Sequence, residues 1–124
     1  MIAVDPIWQL ALLLIAHWIG DFVFQTTWMA TTKNHRLDAL LVHVLTYSLI
    51  LAGPAVLLFG QTETAALFVG ANAVLHLATD FVTSKFSSAM YAEKNMRGFF
   101  VLLGFDQLLH HLALAATLVW FMHG

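Results

Sequence analysis

Cysteine is absent from this 124-residue chain, and charge is scarce: Asp, Glu, Lys and Arg together make up 10% of it. The first absence excludes a disulfide, a thiolate nucleophile, a thiolate-held metal and an iron–sulfur cluster. The second falls well below the quarter or so of charged residues that keeps an ordinary domain in water. Only five side chains are cationic, and the net charge of −2 is too small and too unevenly placed to suit a nucleic acid.

What remains is apolar. The chain is 60% hydrophobic with a mean hydropathy of +0.82. Ionisable side chains thin out in four segments, at residues 7–25, 39–59, 65–83 and 99–122. Each is close to the ~20 residues that cross a hydrocarbon core ~30 Å thick. The sequence therefore predicts an all-α fold, a polytopic membrane four-helix bundle, with residues 1–124 as a single domain. The first segment lacks a basic leader and a small-residue cleavage site, and Asp5 precedes it, so it reads as helix one rather than a signal peptide.

The few cations set the expected topology. Lys33 and Arg36 lie between the first and second segments, and Lys85, Lys94 and Arg97 between the third and fourth. The positive-inside rule makes both connections cytoplasmic and puts both termini on the non-cytoplasmic side. Trp28 and Tyr91 near the basic end, with Trp8 and Trp120 near the other, fall where interfacial aromatics belong. Pro54, inside the second segment in "AGPA", removes a backbone donor and predicts a kink. The glycines of "GFFVLLG" (98–104) are six apart, which is not the spacing of closely packed membrane helix pairs. A homo-oligomer or a larger membrane complex is nevertheless expected of so small and apolar a unit.

Into these apolar segments the sequence sets rows of polar residues. Helix one carries His17, Asp21 and Gln25; helix two carries His43 and Tyr47; helix three carries Asn72, His76, Asp80 and Ser84; helix four carries Asp106, Gln107, His110 and His111. Four-residue spacing places each main row on one helix face. Helices one and three hold their rows late, and two and four hold theirs early. All four rows consequently fall near the basic end, roughly 5 to 18 Å below the surface at 1.5 Å per residue.

An Asp at the centre of a membrane helix costs roughly 2.5 to 3.5 kcal/mol on insertion scales, so such groups face the bundle interior and serve a purpose. Imidazole and carboxylate together suit a divalent ion, zinc first, with manganese or iron as alternatives. The expected ligands are His17, Asp21, His43, His76, Asp80, Asp106 and His110, enough for one or two ions, with Gln25, Asn72 and Gln107 orienting them. His111 points about 100° away from His110, so one of the two is expected to be a ligand. His35 and His123 read as surface residues. A hydrogen-bonded or proton-relaying network and haem ligation are the competing readings of the same residues.

The strings "AHWIGDFVFQTTWMATTK", "LLVHVLTY", "NAVLHLATDFVTSK" and "GFDQLLHH" resemble, in that order and over nearly the whole chain, a bacterial family of small integral membrane proteins catalogued as a domain of unknown function. The resemblance implies a four-helix protein of the bacterial inner membrane and carries no activity. The helix-three order of His76, Asp80 and "TS" is also similar to small inner-membrane proteins described as membrane-bound metal-dependent hydrolases. The expected function is a metal-dependent hydrolase of a lipid or lipid-linked ester or phosphoester at the cytoplasmic leaflet, with Asp21, Asp80 and Asp106 as its catalytic carboxylates and membrane lipid as its partner. A non-catalytic subunit of a membrane complex, and a metal or proton transport element using the same cluster, are the alternatives.

Overall fold

The computed structural model describes residues 5–60 and 62–123, and among these there are helices and turns but no strand. Helix α1 (Pro6–Trp18) starts where Asp5 accepts a hydrogen bond from the Ile7 N–H at 2.9 Å, with Pro6 at the first helical position, where a missing N–H costs nothing. It runs into a π-turn at Ile19–Val23, in which the Phe24 N–H reaches back five residues to the Ile19 carbonyl. A short helix α2 (Thr27–Thr32) follows, capped by the Thr26 hydroxyl on the Met29 N–H. Three long helices complete the chain: α3 (Leu37–Phe59), α4 (Thr62–Ala92) and α5 (Met96–His123).

Among the described residues, four stretches are long and apolar enough to cross a membrane: α1 with its π-turn, α3, α4 and α5. Their boundaries correct the expected ones. Helix one does not continue to residue 25, because the π-turn widens its last winding and leaves Gln25 in the bend beyond it. The connection that follows is not loop throughout but contains α2. The third spanning helix does not close at "TSK" near residue 83: it continues to Ala92, since nothing in residues 84–92 breaks a helix. Its 31 residues extend about 46 Å at 1.5 Å each, longer than a hydrocarbon core of ~30 Å, so its last turns project past the basic end. Lys94 ends the run in a left-handed conformation (φ 60°), with Asn95 N–H bonded to the Met90 carbonyl and Lys94 N–H to that of Tyr91, a Schellman pattern. Helices α3 and α5 begin two and three residues earlier than expected. Pro54 lies inside α3, which is helical on both sides of it.

The interior divides into two halves. Away from the basic end, Leu13, Leu51, Ala55, Leu58, Phe68 and Leu114 form an apolar core, finished by the rings of Phe59, Phe68 and Phe121 at 5.0–6.4 Å. Nearer the basic end the buried residues are His17, Asp21, His43, His76, Asp80, Asp106 and His110. Outside, the usual order is reversed: Trp8, Leu49, Val74 and Trp120 are each at least 66% exposed, a surface suited to lipid. The start of α1 and the end of α5 lie together, Pro6 and Gln9 sharing a hollow with Met122 and His123.

Gly20, in the π-turn, sets how closely the first span approaches α3. A Cβ there would lie 3.2 Å from the Tyr47 ring and 3.3 Å from the Tyr47 Cα. Gly20→Val is expected to destabilise the protein by roughly 1–3 kcal/mol through overpacking, read as an earlier thermal unfolding in detergent. Gly53→Ala and Gly70→Ala, whose added methyls meet nothing within 4 Å, should leave the transition in place.

Candidate metal centre

Each spanning helix delivers part of one buried cluster. The π-turn presents Asp21, α3 presents His43, α4 presents His76 and Asp80, and α5 presents Asp106 and His110. His43 Nε2 lies 2.8 Å from Asp21 Oδ1, 3.2 Å from Asp80 Oδ2 and 3.2 Å from His76 Nε2. His76 Nε2 is in turn 3.4 Å from Asp21 Oδ1 and 3.2 Å from Asp80 Oδ2. A tetrahedral ion with bonds of about 2.0–2.1 Å has ligand–ligand edges of roughly 3.3–3.4 Å. These five separations, from 2.8 to 3.4 Å, are at or somewhat below the edges of such a shell.

Direction supports the same conclusion. Asp21 Oδ1 accepts no hydrogen bond although His43 Nε2 is 2.8 Å away, and neither nitrogen of His110 has a hydrogen-bond partner despite carboxylate oxygens at 3.4–3.6 Å. His43 Nε2 and His76 Nε2 share a hydrogen bond and Lys33 donates to Asp80 Oδ2, while Asp21 Oδ1 and both nitrogens of His110 are left unpaired around them. Fully buried charge left in this way is costly, and an ion between the donors removes the cost. The Nδ1 atoms of His43 and His76 have no hydrogen-bond partner in the protein, so packing orients these rings: Tyr47 lies 4.2 Å from His76, centroid to centroid, and His110 stacks on it at 4.1 Å and 8°.

A hydrogen-bonded chain fixes the carboxylates from the other side. Gln107 donates from Nε2 to Asp21 Oδ2 (3.2 Å) and to Asp106 Oδ2 (3.1 Å), and its Oε1 lies 2.7 Å from His17 Nε2. Because carboxylates only accept, the amide must turn its NH₂ toward them. His17 then donates from Nε2, which leaves Nδ1 to accept from the Tyr47 hydroxyl 3.2 Å away. Thr83 adds its hydroxyl to Asp106 Oδ1 at 2.5 Å. Every donor in the chain runs toward a carboxylate.

Not all the expected site residues stand alike. His17 is in the cluster but has both ring nitrogens engaged by Gln107 and Tyr47. Asn72 spends both amide hydrogens on the Phe68 carbonyl and the Thr117 hydroxyl, tying α4 to α5. Gln25 lines a cleft beside Asp80 and Asp106, its Oε1 buried without a hydrogen bond. His111 is half-buried, edge-on to His17 at 5.1 Å. His35 is exposed and bonded to its neighbour Asn34, and His123 is exposed at the far end.

Sequence reasoning gave Lys33 only a topological role. Its ammonium lies 3.3 Å from Asp80 Oδ2, with the side chain 17% exposed. The signal was present, since Lys33 closes the first of the characteristic strings. The cleft it lines has a volume of about 280 Å³ and includes Phe22, Asp80, Thr83, Ser84 and Asp106; an adjoining hollow of about 390 Å³ shares Ala30, Asn34, Ser88 and Phe99 with it and reaches Tyr91. A larger groove of about 600 Å³ lies between α3 and α4, but it is lined by residues such as Val44, Ala52, Val56 and Val69 and holds none of the His or Asp cluster. The smaller cleft is the one that Asp80 and Asp106 line.

A family model described as "Protein of unknown function (DUF3307)" matches residues 9–123, and the chain belongs to that family. No curated protein and no solved structure matches it. The likeness of helix three to membrane-bound hydrolases has no counterpart among these matches.

The network makes an ordered prediction for stability. Gln107→Leu strands the His17 N–H and removes donors from two carboxylates, so it should cost about 1–3 kcal/mol. Tyr47→Phe removes one hydroxyl and should cost less, nearer the ~0.6 kcal/mol typical of membrane hydrogen bonds. Thermal unfolding of the two variants in detergent checks the order.

Proposed function

We propose that this member of the DUF3307 family is a bacterial inner-membrane metal protein, with a divalent ion held by Asp21, His43, His76 and Asp80, and that it hydrolyses a lipid or lipid-linked phosphoester or ester. The observation that carries the reading is the convergence of four buried donor atoms, two imidazole nitrogens and two carboxylate oxygens, five of whose separations lie between 2.8 and 3.4 Å. The donor set suits zinc, then manganese or iron. Such an ion supplies water acidic enough to attack at neutral pH.

The residues around it fit a headgroup substrate. The cleft opens at the basic end, which the positive-inside rule makes cytoplasmic, and Asp80, Asp106 and Lys33 all line it. Lys33 is a cation placed to meet a phosphate or carboxylate oxygen. In phosphoester hydrolysis the water oxygen bonds to phosphorus, the bond to the leaving alcohol breaks, and that alcohol takes up the proton the water loses. The carboxylates, which are acceptors only, hold the proton in between. Membrane lipid is thus the partner of the site, and a homo-oligomer or larger complex would enclose the exposed apolar faces.

One observation favours a second reading. Four protein donors close a zinc shell, and closed shells are structural rather than catalytic. On that reading the chain is a non-catalytic membrane subunit braced by its ion. Transport is the poorer fit, because the core of Leu13, Leu51, Phe68 and Leu114 fills the half of the bundle that a transported ion would have to cross.

Elemental analysis of the protein purified in detergent without added metal should find stoichiometric zinc, manganese or iron, lost in both Asp80→Asn and His76→Ala. A wild-type protein that stays metal-free even after reconstitution would leave the cluster as a hydrogen-bonded or proton-relaying network. Lys33→Ala is expected to keep its metal and to lose about 10- to 100-fold in turnover, the worth of one charge-assisted hydrogen bond. Mass spectrometry of phosphatidylethanolamine and phosphatidylglycerol vesicles carrying each protein measures that turnover. Metal without turnover favours the structural ion.

A further inference from the structure

The stacked pair of imidazoles divides the cluster. An imidazole binds an ion through a lone pair in its own ring plane, so every histidine on one ion must have that ion in its plane. His76 and His110 lie face to face, 4.1 Å apart at 8°. An ion in the plane of His76 then stands several ångströms out of the plane of His110 and off its lone pairs, although His17, His76 and His110 also bring ligand atoms within 4.8 Å of one another. Yet His110 is buried, with both nitrogens lacking hydrogen-bond partners and Nδ1 turned toward Asp21 Oδ2 and Asp106 Oδ2 at 3.6 Å each.

Resting on the metal reading above, we propose that the cluster is a two-cation centre. The first ion is held by Asp21 Oδ1, His43, His76 and Asp80, and the second by Asp21 Oδ2, Asp106 and His110, with Asp21 bridging the two. The two oxygens of Asp21 already face different donor sets: Oδ1 faces His43 and His76, and Oδ2 faces His110. The second set also comes from the structure as a group of its own, its three ligand atoms within 4.8 Å of one another. The stack keeps the two ions in different ring planes, side by side as in paired catalytic sites.

The second position differs in kind from the first. It has three protein donors, so it keeps a coordination place open, and Asp106 brings it to the wall of the cleft. Two dications with the Lys33 ammonium outweigh the three carboxylates, so the loaded centre is cationic and selects an anionic substrate. Paired ions clamp the attacking and leaving oxygens of a phosphoryl group. With the cationic charge of the loaded centre, a phosphoester is the substrate class proposed, and the closed first site becomes the structural partner of an open second one.

Metal stoichiometry on the full chain in detergent, after saturation with zinc and removal of free ion, tests the assignment. Two ions per wild-type chain, falling to one in both Asp106→Asn and His110→Ala, are expected. One ion in the wild type, retained in both variants, overturns the second site and leaves the first standing; none in the wild type overturns both. Manganese loading of the wild type gives an independent answer that needs no variant. An exchange-coupled paramagnetic resonance spectrum is expected, and the six-line spectrum of isolated Mn²⁺ at full occupancy overturns the proposal.

Discussion

The carboxylate of Asp21 joins all four spans. From the π-turn it meets His43 on α3, His76 on α4, and both Gln107 and His110 on α5. In water such a group would be one of many solvated charges. Within a bundle whose outer face is built for lipid, it must be compensated where it stands, and its partners must come from every neighbouring helix. The helices are consequently held at one rotation and one height, those that point their imidazoles and amides at this group.

Local backbone chemistry makes the position attainable. The π-turn at Ile19–Val23 shifts the last winding of the first span and carries Asp21 within it, while the adjacent Gly20 lets that winding come against the backbone of Tyr47. Small residues at helix contacts are the usual means of close approach in membranes, where apolar burial gives helices little reason to prefer each other over lipid. Tyr47 completes the arrangement from the other helix, its hydroxyl on His17 and its ring against His76. Packing and polar order are thus the same contact seen from two sides.

The split between an apolar half and a polar half gives the cluster a single approach. The core of Leu51, Leu58, Phe68 and Leu114 fills the end away from the cations, and the polar cleft opens beside the connection that holds α2 and the extended end of α4. Lys85, its ammonium over the Phe81 ring at 4.1 Å and donating to the Asn34 carbonyl, fastens that extension to the connection before α3. The wall of the cleft is therefore built from segments at the basic end, where Lys33 also enters.

Four spans, their polar rows and the common depth of those rows were legible in the sequence, because hydropathy and helical periodicity are properties of neighbouring residues. His43, His76, Asp80, Asp106 and His110 could be picked out as ionisable groups in apolar helices before any contact was known. The tertiary structure alone decided which of them face one another. Lys33 meets Asp80 across 47 residues, and Gln107 meets His17 across 90. Whether His76 and His110 can share an ion depends on how two rings stack, which is set by the rotation of α4 against α5. The sequence determined which groups the membrane forces inward, since burial in lipid acts on each residue singly. Their pairing rests on distances and ring planes between separate helices, and those exist only once the helices have packed.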